Sequence, residues 1–157
     1  MYWLVKSEPD TFSIQDLAAM PDQTEHWDGV RNYQARNFMR DRMKVGDLVL
    51  FYHSNTKPPG IAGLCKVVRE GYPDHTAWDS ESNYFDPKSS PDAPRWFMVD
   101  VKLCEIFSSY VSLNDLKQNP RLEGMQLLQK GNRLSVMPIE DEAFSEILAM
   151  ANAASEC

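Results

Sequence analysis

Residues that make disulfides or bind metals are scarce in this chain of 157 residues, which has 3 cysteines and 3 histidines. Cys65, Cys104 and Cys157 form no closely spaced pair and leave one over, so no disulfide framework is written in the sequence. Cys65 and Cys104 fall in apolar, strand-like runs and read as small buried hydrophobes. His26, His53 and His75 are scattered, and no two ligand-type residues stand at C-x-x-C or helical spacing, so neither a zinc site nor a cofactor is expected. Long apolar runs are missing too. Nothing approaches the roughly 18 residues of a membrane span, and "MYWLV" meets Lys6, Glu8 and Asp10 before it reaches the roughly 7 to 15 apolar residues of a signal peptide. The expectation is a cytoplasmic monomer with no membrane partner.

Basic residues are also in deficit, 16 against 23 acidic ones, for a net charge of -7. That balance argues against sequence-blind adhesion to a phosphate backbone, whose strength grows with each phosphate neutralised. The charge is uneven, however. Arg31, Arg36, Arg40, Arg42 and Lys44 stand within one short stretch beside a single acid, Asp41, while the segment from Glu140 onward holds acids and no base. A small basic face on an acidic body suits a partner touched locally.

A hydrophobic share of 43% and a charged share of 25% fit one compact domain. We expect a single domain over 1–157, with 151–157 as a disordered tail. Tyr2 to Lys6 reads as a strand closed by Pro9. Ser13 and Asp16 make a capping-box pattern for a short helix stopped at Pro21. Asn32 caps a second helix whose apolar stripe runs through Ala35, Phe38 and Met39, leaving Tyr33, Arg36, Asn37 and Arg40 on another face. "VGDLVLFYHS" and "IAGLCKVVR" read as neighbouring buried strands. The stretch from Glu70 to Pro94 has no period and is long for a structureless loop, which points to function. Arg95 to Phe107 is the longest strand signal. Ser112 with Asp115 starts a third helix, Pro120 a fourth ending before Gly131, "RLSVMPI" is a last strand, and Glu140 to Glu142 begin a terminal helix. These elements predict an α+β (mixed) fold: a small β-barrel of about five to six strands with short helices packed around it.

The chemistry centres on the aromatics. Trp3 reads as core, and Trp96 as core or pocket wall. Trp27 precedes the turn dipeptide Asp28-Gly29, and Trp78 lies in the long loop. Loop tryptophans can be lids over a core, but combined with polar strand ends they line concave sites. A flat aromatic slot suits a nucleic-acid base, since stacking contributes about 1 to 3 kcal/mol and tolerates any base. Identity must then come from edge hydrogen bonds. Candidates are Ser7, Glu8, Asp28, Asn32, His53, Ser54 and Asn55, with Val30, Phe51 and Trp96 completing the lining. Each has an ordinary reading as well: Asn32 suffices as an N-cap, Ser54-Asn55 is turn chemistry, and Glu8 can pair with Lys6. Arg31, Arg36 and Arg40 are the candidates for phosphate contacts.

In order along the chain, "YWLVKSEPD", "WDGVRNYQARNFMR", "VGDLVLFYHS", "GIAGLCKVV", "YFDPKSS", "RWFMVDV" and "GNRLSVMPI" give a pattern that resembles the EVE domain family from Met1 to about Met150. The resemblance implies a PUA-like barrel, the fold shared with the YTH readers of methylated adenine. It also implies recognition of a modified base, methylated or otherwise modified cytosine or adenine, in DNA or RNA. By the same resemblance Trp27 corresponds to the first tryptophan of an aromatic cage, Ser7 and Glu8 to the polar residues after the first strand, and Trp78 to a second cage member. The rival reading is a small enzyme. Related ASCH proteins include amidohydrolases, and Lys6, Glu8 and His53 could serve as nucleophile, acid and base, although generic catalytic signatures such as G-x-S-x-G are absent.

Overall fold

The computed structural model describes residues 1–154 and 157. Strand β1, Tyr2–Ser7, buries Trp3, Leu4 and Val5 completely, as an aromatic and β-branched run in the middle of a sheet should. The Ser13 hydroxyl accepts from the Asp16 N–H at 3.1 Å, the Asp16 carboxylate accepts from the Ser13 N–H at 2.8 Å, and α1 follows over Ile14–Ala19. The three-residue strand β2, Thr24–His26, is an addition that the sequence does not announce. Helix α2, Tyr33–Asp41, is capped by Asn32, whose Oδ1 accepts from the Ala35 N–H at 3.0 Å. Strands β3, Leu48–His53, β4, Gly60–Pro73, and β5, Phe97–Ser112, make the centre of the sheet. Helix α3, Leu113–Gln118, strand β6, Val136–Ile139, and helix α4, Asp141–Met150, complete the chain.

Two expectations need correcting. Strand β4 runs on to Pro73, past the expected start of the loop at Glu70, because β5 is long enough to pair it as far as Phe97. The helix expected after Pro120 is instead two 3-10 turns, Pro120–Leu122 and Gln126–Leu128. Between them Gly124 adopts φ +85°, a left-handed conformation that no helix continues through.

The sheet order is β2-β5-β4-β3-β1-β6, with β1 and β3 parallel and the other pairs antiparallel. Among the described residues no ladder joins β2 to β6, so the sheet is curled but open. The fold is α+β as expected, in a barrel-like form. No helix among the described residues is long and apolar enough to cross a membrane. Cys104 and Cys157 come together as a disulfide pair with Cα atoms 5.6 Å apart, which their wide spacing in sequence does not indicate. Of the segment expected to be a disordered tail, Ala151 is fully buried and Ala153 packs on the core, whereas Ser155 and Glu156 lie outside the described residues.

The position of α1 matters for the site, because the loop leading into it carries Thr11 and Phe12. Helix α1 lies against β4 and β5 at Gly63, where the pairing register shifts. A Cβ on Gly63 would collide with the Ile14 side chain and the Glu105 carbonyl oxygen. The Ile14 N–H, at the start of the helix, donates to His53 Nε2 at 3.1 Å. Gly63→Ala is therefore expected to lower stability by about 1 to 3 kcal/mol through overpacking, read as a reduced urea midpoint. An unchanged midpoint would mean that α1 tolerates displacement.

Candidate functional site

The end of β1, the segment from β2 to Val30, and Tyr84 enclose a cleft of about 520 Å³. Lys6, Ser7 and Glu8 line it from the end of β1, Thr11 and Phe12 from the loop into α1, and Glu25, His26 and Asp28 from β2 and the turn after it. Trp27 lines the cleft and is only 7% exposed. Its ring meets Phe51 edge-on at 5.3 Å and Phe12 at 6.2 Å, and its backbone N–H donates to the Val99 carbonyl at 2.7 Å. The indole is thus packed perpendicular to two aromatic rings, and its backbone is tied to β5.

The far wall hangs on Asp74, a fully buried carboxylate. Its Oδ2 accepts from the Gly29 N–H at 2.9 Å and from Arg31 Nη1 at 3.0 Å, while Oδ1 accepts from the Thr76 N–H at 2.9 Å and from the Thr76 hydroxyl. Burial alone would raise this carboxyl. The bonds from Thr76, Gly29 and Arg31 outweigh it and hold the group below the ordinary carboxylate range. Arg31 then reaches on to the Tyr84 carbonyl, from Nη2 at 2.6 Å and Nε at 3.1 Å. Gly29 has φ +77° and lies so close under the Tyr84 ring that a Cβ there would sit 2.6 Å from it. Only glycine allows that close approach.

The rim is rich in titratable groups. The Ser7 hydroxyl donates to the Phe12 carbonyl at 2.6 Å, and Asn55 lies 3.5 Å from Glu8 Oε1. His26 lies 3.0 Å from Glu25 Oε1 through Nδ1 and 3.5 Å from Asp28 Oδ2 through Nε2. The Asp28 carboxyl is raised, chiefly by burial and partly offset by His26. Burial lowers the Lys6 ammonium.

Of the residues singled out from sequence, Ser7, Glu8, Trp27, Asp28 and Val30 line this cleft, and Phe51 supports it from the core. The others lie elsewhere. Asn32 is occupied as the cap of α2. His53 lines a separate depression beside Ile106 and Tyr110, accepts from Ile14, and has its pKa lowered by burial. Ser54 donates its N–H to the Ser7 carbonyl at 2.9 Å. Trp78 ends a 3-10 turn, His75–Trp78, outside the cleft lining. Trp96 is buried, with its indole N–H donating to Asp86 Oδ2 at 2.7 Å. Lys6 and Glu8 share the cleft while His53 does not, so the three are not assembled as one catalytic group. Arg31 is an internal strut, since its guanidinium bonds Asp74, Thr76, Val30 and Tyr84. Arg36 donates to the Arg95 carbonyl and to Asn37, and Arg40 pairs with Asp41 at 2.8 Å. Glu25, His26 and Asp74 escape the sequence reading, and Tyr84 is indicated only as one of the aromatics that mark the long loop as functional. The aromatic and proline content of "YFDPKSS" is the local signal for Tyr84.

The EVE domain model matches residues 1–150. The chain belongs to the EVE domain family. Mouse thymocyte nuclear protein 1 is 46% identical over 166 residues, covering 95% of this chain and 73% of that protein. A crystal structure of a Pseudomonas syringae protein is 49% identical with a TM-score of 0.91, covering 96% of this chain and 99% of the other. The human THYN1 protein in complex with 5-methylcytosine-containing DNA is 44% identical with a TM-score of 0.90, covering 98% of each chain.

Asp74 is the point at which the cleft wall of this EVE domain can be tested. Asp74→Asn leaves Arg31 without its buried counter-charge, so stability at neutral pH is expected to fall by about 3 kcal/mol. The folded-state pKa of Asp74 is depressed. Its contribution is therefore fully present above the unfolded value near 3.9 and is lost as pH falls through the lower folded value. Denaturant unfolding of both forms from pH 7 down to pH 2 should show the gap closing only in that acid range. A gap independent of pH would assign the loss to packing.

Proposed function

We propose that the cleft receives a single modified cytosine turned out of DNA, which makes this EVE domain a reader of 5-methylcytosine. The observation that carries the reading is the Trp27 indole and the Asp28 carboxyl lining one cleft with ample room for a base, in a family with a human member crystallised with 5-methylcytosine-containing DNA. A base inside a duplex cannot reach such a cleft, and extruding it costs a few kcal/mol. Stacking on Trp27 and Tyr84 offsets much of that, at about 1 to 3 kcal/mol per base.

Base identity needs the rim. Cytosine offers its N4 amino group as a donor where thymine, which carries the same 5-methyl, offers the O4 acceptor. Asp28 can accept from N4–H and meets O4 with an unpaired carboxylate. Such a mismatch discriminates far more strongly than an added methyl, which is worth about 0.8 kcal/mol. Asp28 is the proposed edge reader, Ser7 and Glu8 line the same cleft, and Val30 adds apolar wall.

The test is a panel of short single- and double-stranded DNA and RNA oligonucleotides. They carry cytosine, 5-methylcytosine, hydroxymethylcytosine, acetylcytosine, thymine or methylated adenine at one position, and both affinity and mass are read. Preferential binding of the 5-methylcytosine strand with unchanged mass is expected. Asp28→Asn, whose amide can also donate, should reduce the preference over thymine at least about tenfold, equivalent to about 1.4 kcal/mol. Trp27→Ala is a poor probe, because a tryptophan this buried also supports the core and its loss costs about 3 to 5 kcal/mol of stability. Trp27→Phe keeps the fold and weakens stacking. Turnover of a modified base that vanishes in Lys6→Ala or Glu8→Gln would replace the reader with an enzyme.

A further inference from the structure

A ladder of rings and guanidinium groups leads from the cleft through a buried tryptophan to the surface. The Arg31 guanidinium carbon lies 5.6 Å from the Tyr84 ring, which lines the cleft, and 5.4 Å from the Trp96 ring. Trp96 stacks on Tyr33 with centroids 4.9 Å apart and planes 18° apart. The Arg36 guanidinium lies 4.8 Å from the Tyr33 ring, and Arg95 Nη1 donates to the Tyr33 hydroxyl at 3.4 Å. The ladder ends in the open, because Tyr33 is 52% exposed although it is a large aromatic side chain.

From this arrangement we infer that Tyr33 is a second stacking platform, which takes a base flanking the one held in the cleft. The inference rests on the reading of the cleft as a base site, but its observations are separate. A solvated tyrosine normally turns its ring against its own helix or the surface beside it. Here Trp96 and Arg95 hold the ring, and Trp96 is itself fixed by its bond to Asp86. The ring is therefore ordered before any ligand arrives, which removes part of the entropy loss of stacking. Trp96 covers one face of Tyr33 and the Arg36 guanidinium lies over the ring, so an incoming base takes the place of Arg36, which with Arg95 at the hydroxyl then meets the phosphates of the stacked nucleotide. Each guanidinium hydrogen-bonds a neutral partner, Arg36 to Asn37 and a carbonyl and Arg95 to a phenol hydroxyl, with Asp41 and Asp86 the acids that feel their charge. Arg40, over Phe97 at 5.9 Å, is the next cation along but is bound by Asp41. The occupant is a nucleotide of the same strand, since a base can stack on the ring while its phosphate meets the arginines.

The experiment compares Tyr33→Ala with the unaltered protein on three ligands: a single-stranded oligonucleotide with one central 5-methylcytosine, the same strand with abasic positions flanking it, and free 5-methyl-2'-deoxycytidine. Tyr33→Ala is expected to weaken binding of the full oligonucleotide by about 5- to 100-fold, with no change for the nucleoside and a much smaller loss on the abasic strand. Tyr33→Phe, which keeps the ring and drops the Arg95 bond, should retain most of the affinity. Because stacking tolerates any base, the same loss is expected on an unmodified oligonucleotide. A protein that ignores methylation but still loses affinity in Tyr33→Ala would overturn the cytosine reading and keep the platform. Unaltered oligonucleotide affinity in Tyr33→Ala, equal losses on intact and abasic strands, or a matching loss of nucleoside affinity would each overturn the platform.

Discussion

One buried carboxylate decides whether the cleft has two walls or one. Asp74 has no contact with water, and an ionised group in that position is tolerable only if its lone pairs are nearly all occupied. The Gly29 amide, the Thr76 amide and hydroxyl, and the Arg31 guanidinium occupy them. Because these donors come from two segments far apart in sequence, satisfying the charge also fastens the turn after Trp27 to the loop that carries Tyr84. The cost of the buried charge and the placement of the second aromatic wall are the same event. Gly29 is bound into it twice, through its amide to Asp74 and through its missing side chain to the Tyr84 ring.

Trp27 carries the complementary constraint. Its ring is held by Phe51 and Phe12, so the small part of it that lines the cleft is the remainder of a core side chain. A stacking surface built this way is rigid, because any change in its tilt would disturb packed aromatic edges. It also ties affinity to stability. The free energy that stacking can supply, about 1 to 3 kcal/mol, is no larger than what the same ring contributes to the core. Changes that truncate it therefore confuse the two effects, and changes at the rim do not.

Local signals in the chain were legible and long-range ones were not. The Ser13–Asp16 box, the Asn32 cap and the buried strands each depend on residues a few positions apart, and each appears where the pattern places it. Trp27, Asp28, Ser7 and Glu8 were also readable as a group, because a strand end and a turn converge on one side of a small sheet. The helix expected after Pro120 failed on Gly124, whose left-handed conformation outweighs the apolar spacing around it. Strand β2 is too short to show an alternation. The second wall could not be assigned to Tyr84 in preference to Trp78 without the Asp74 network, which joins residues more than 40 positions apart. Arg31 looks like its neighbours Arg36 and Arg40 in sequence, and only its partners reveal it as a strut of the cleft wall.

On the proposed reading, the reassignment of Arg31 changes how nucleic acid would be held. With Arg31 spent on Asp74 and Arg40 on Asp41, the cations beside the exposed aromatic platform reduce to Arg36 and Arg95. Two phosphate contacts on a single strand correspond to a slope of only about -1.4 in log affinity against log salt. Against a net charge of -7, so small a cationic surface cannot generate strong sequence-blind binding. In the proposed reader, affinity would come from rings and base edges, which act at contact distance and are little screened by salt. An acidic body is then an asset for a base reader, since it suppresses adhesion to the large excess of backbone that lacks a base worth turning out.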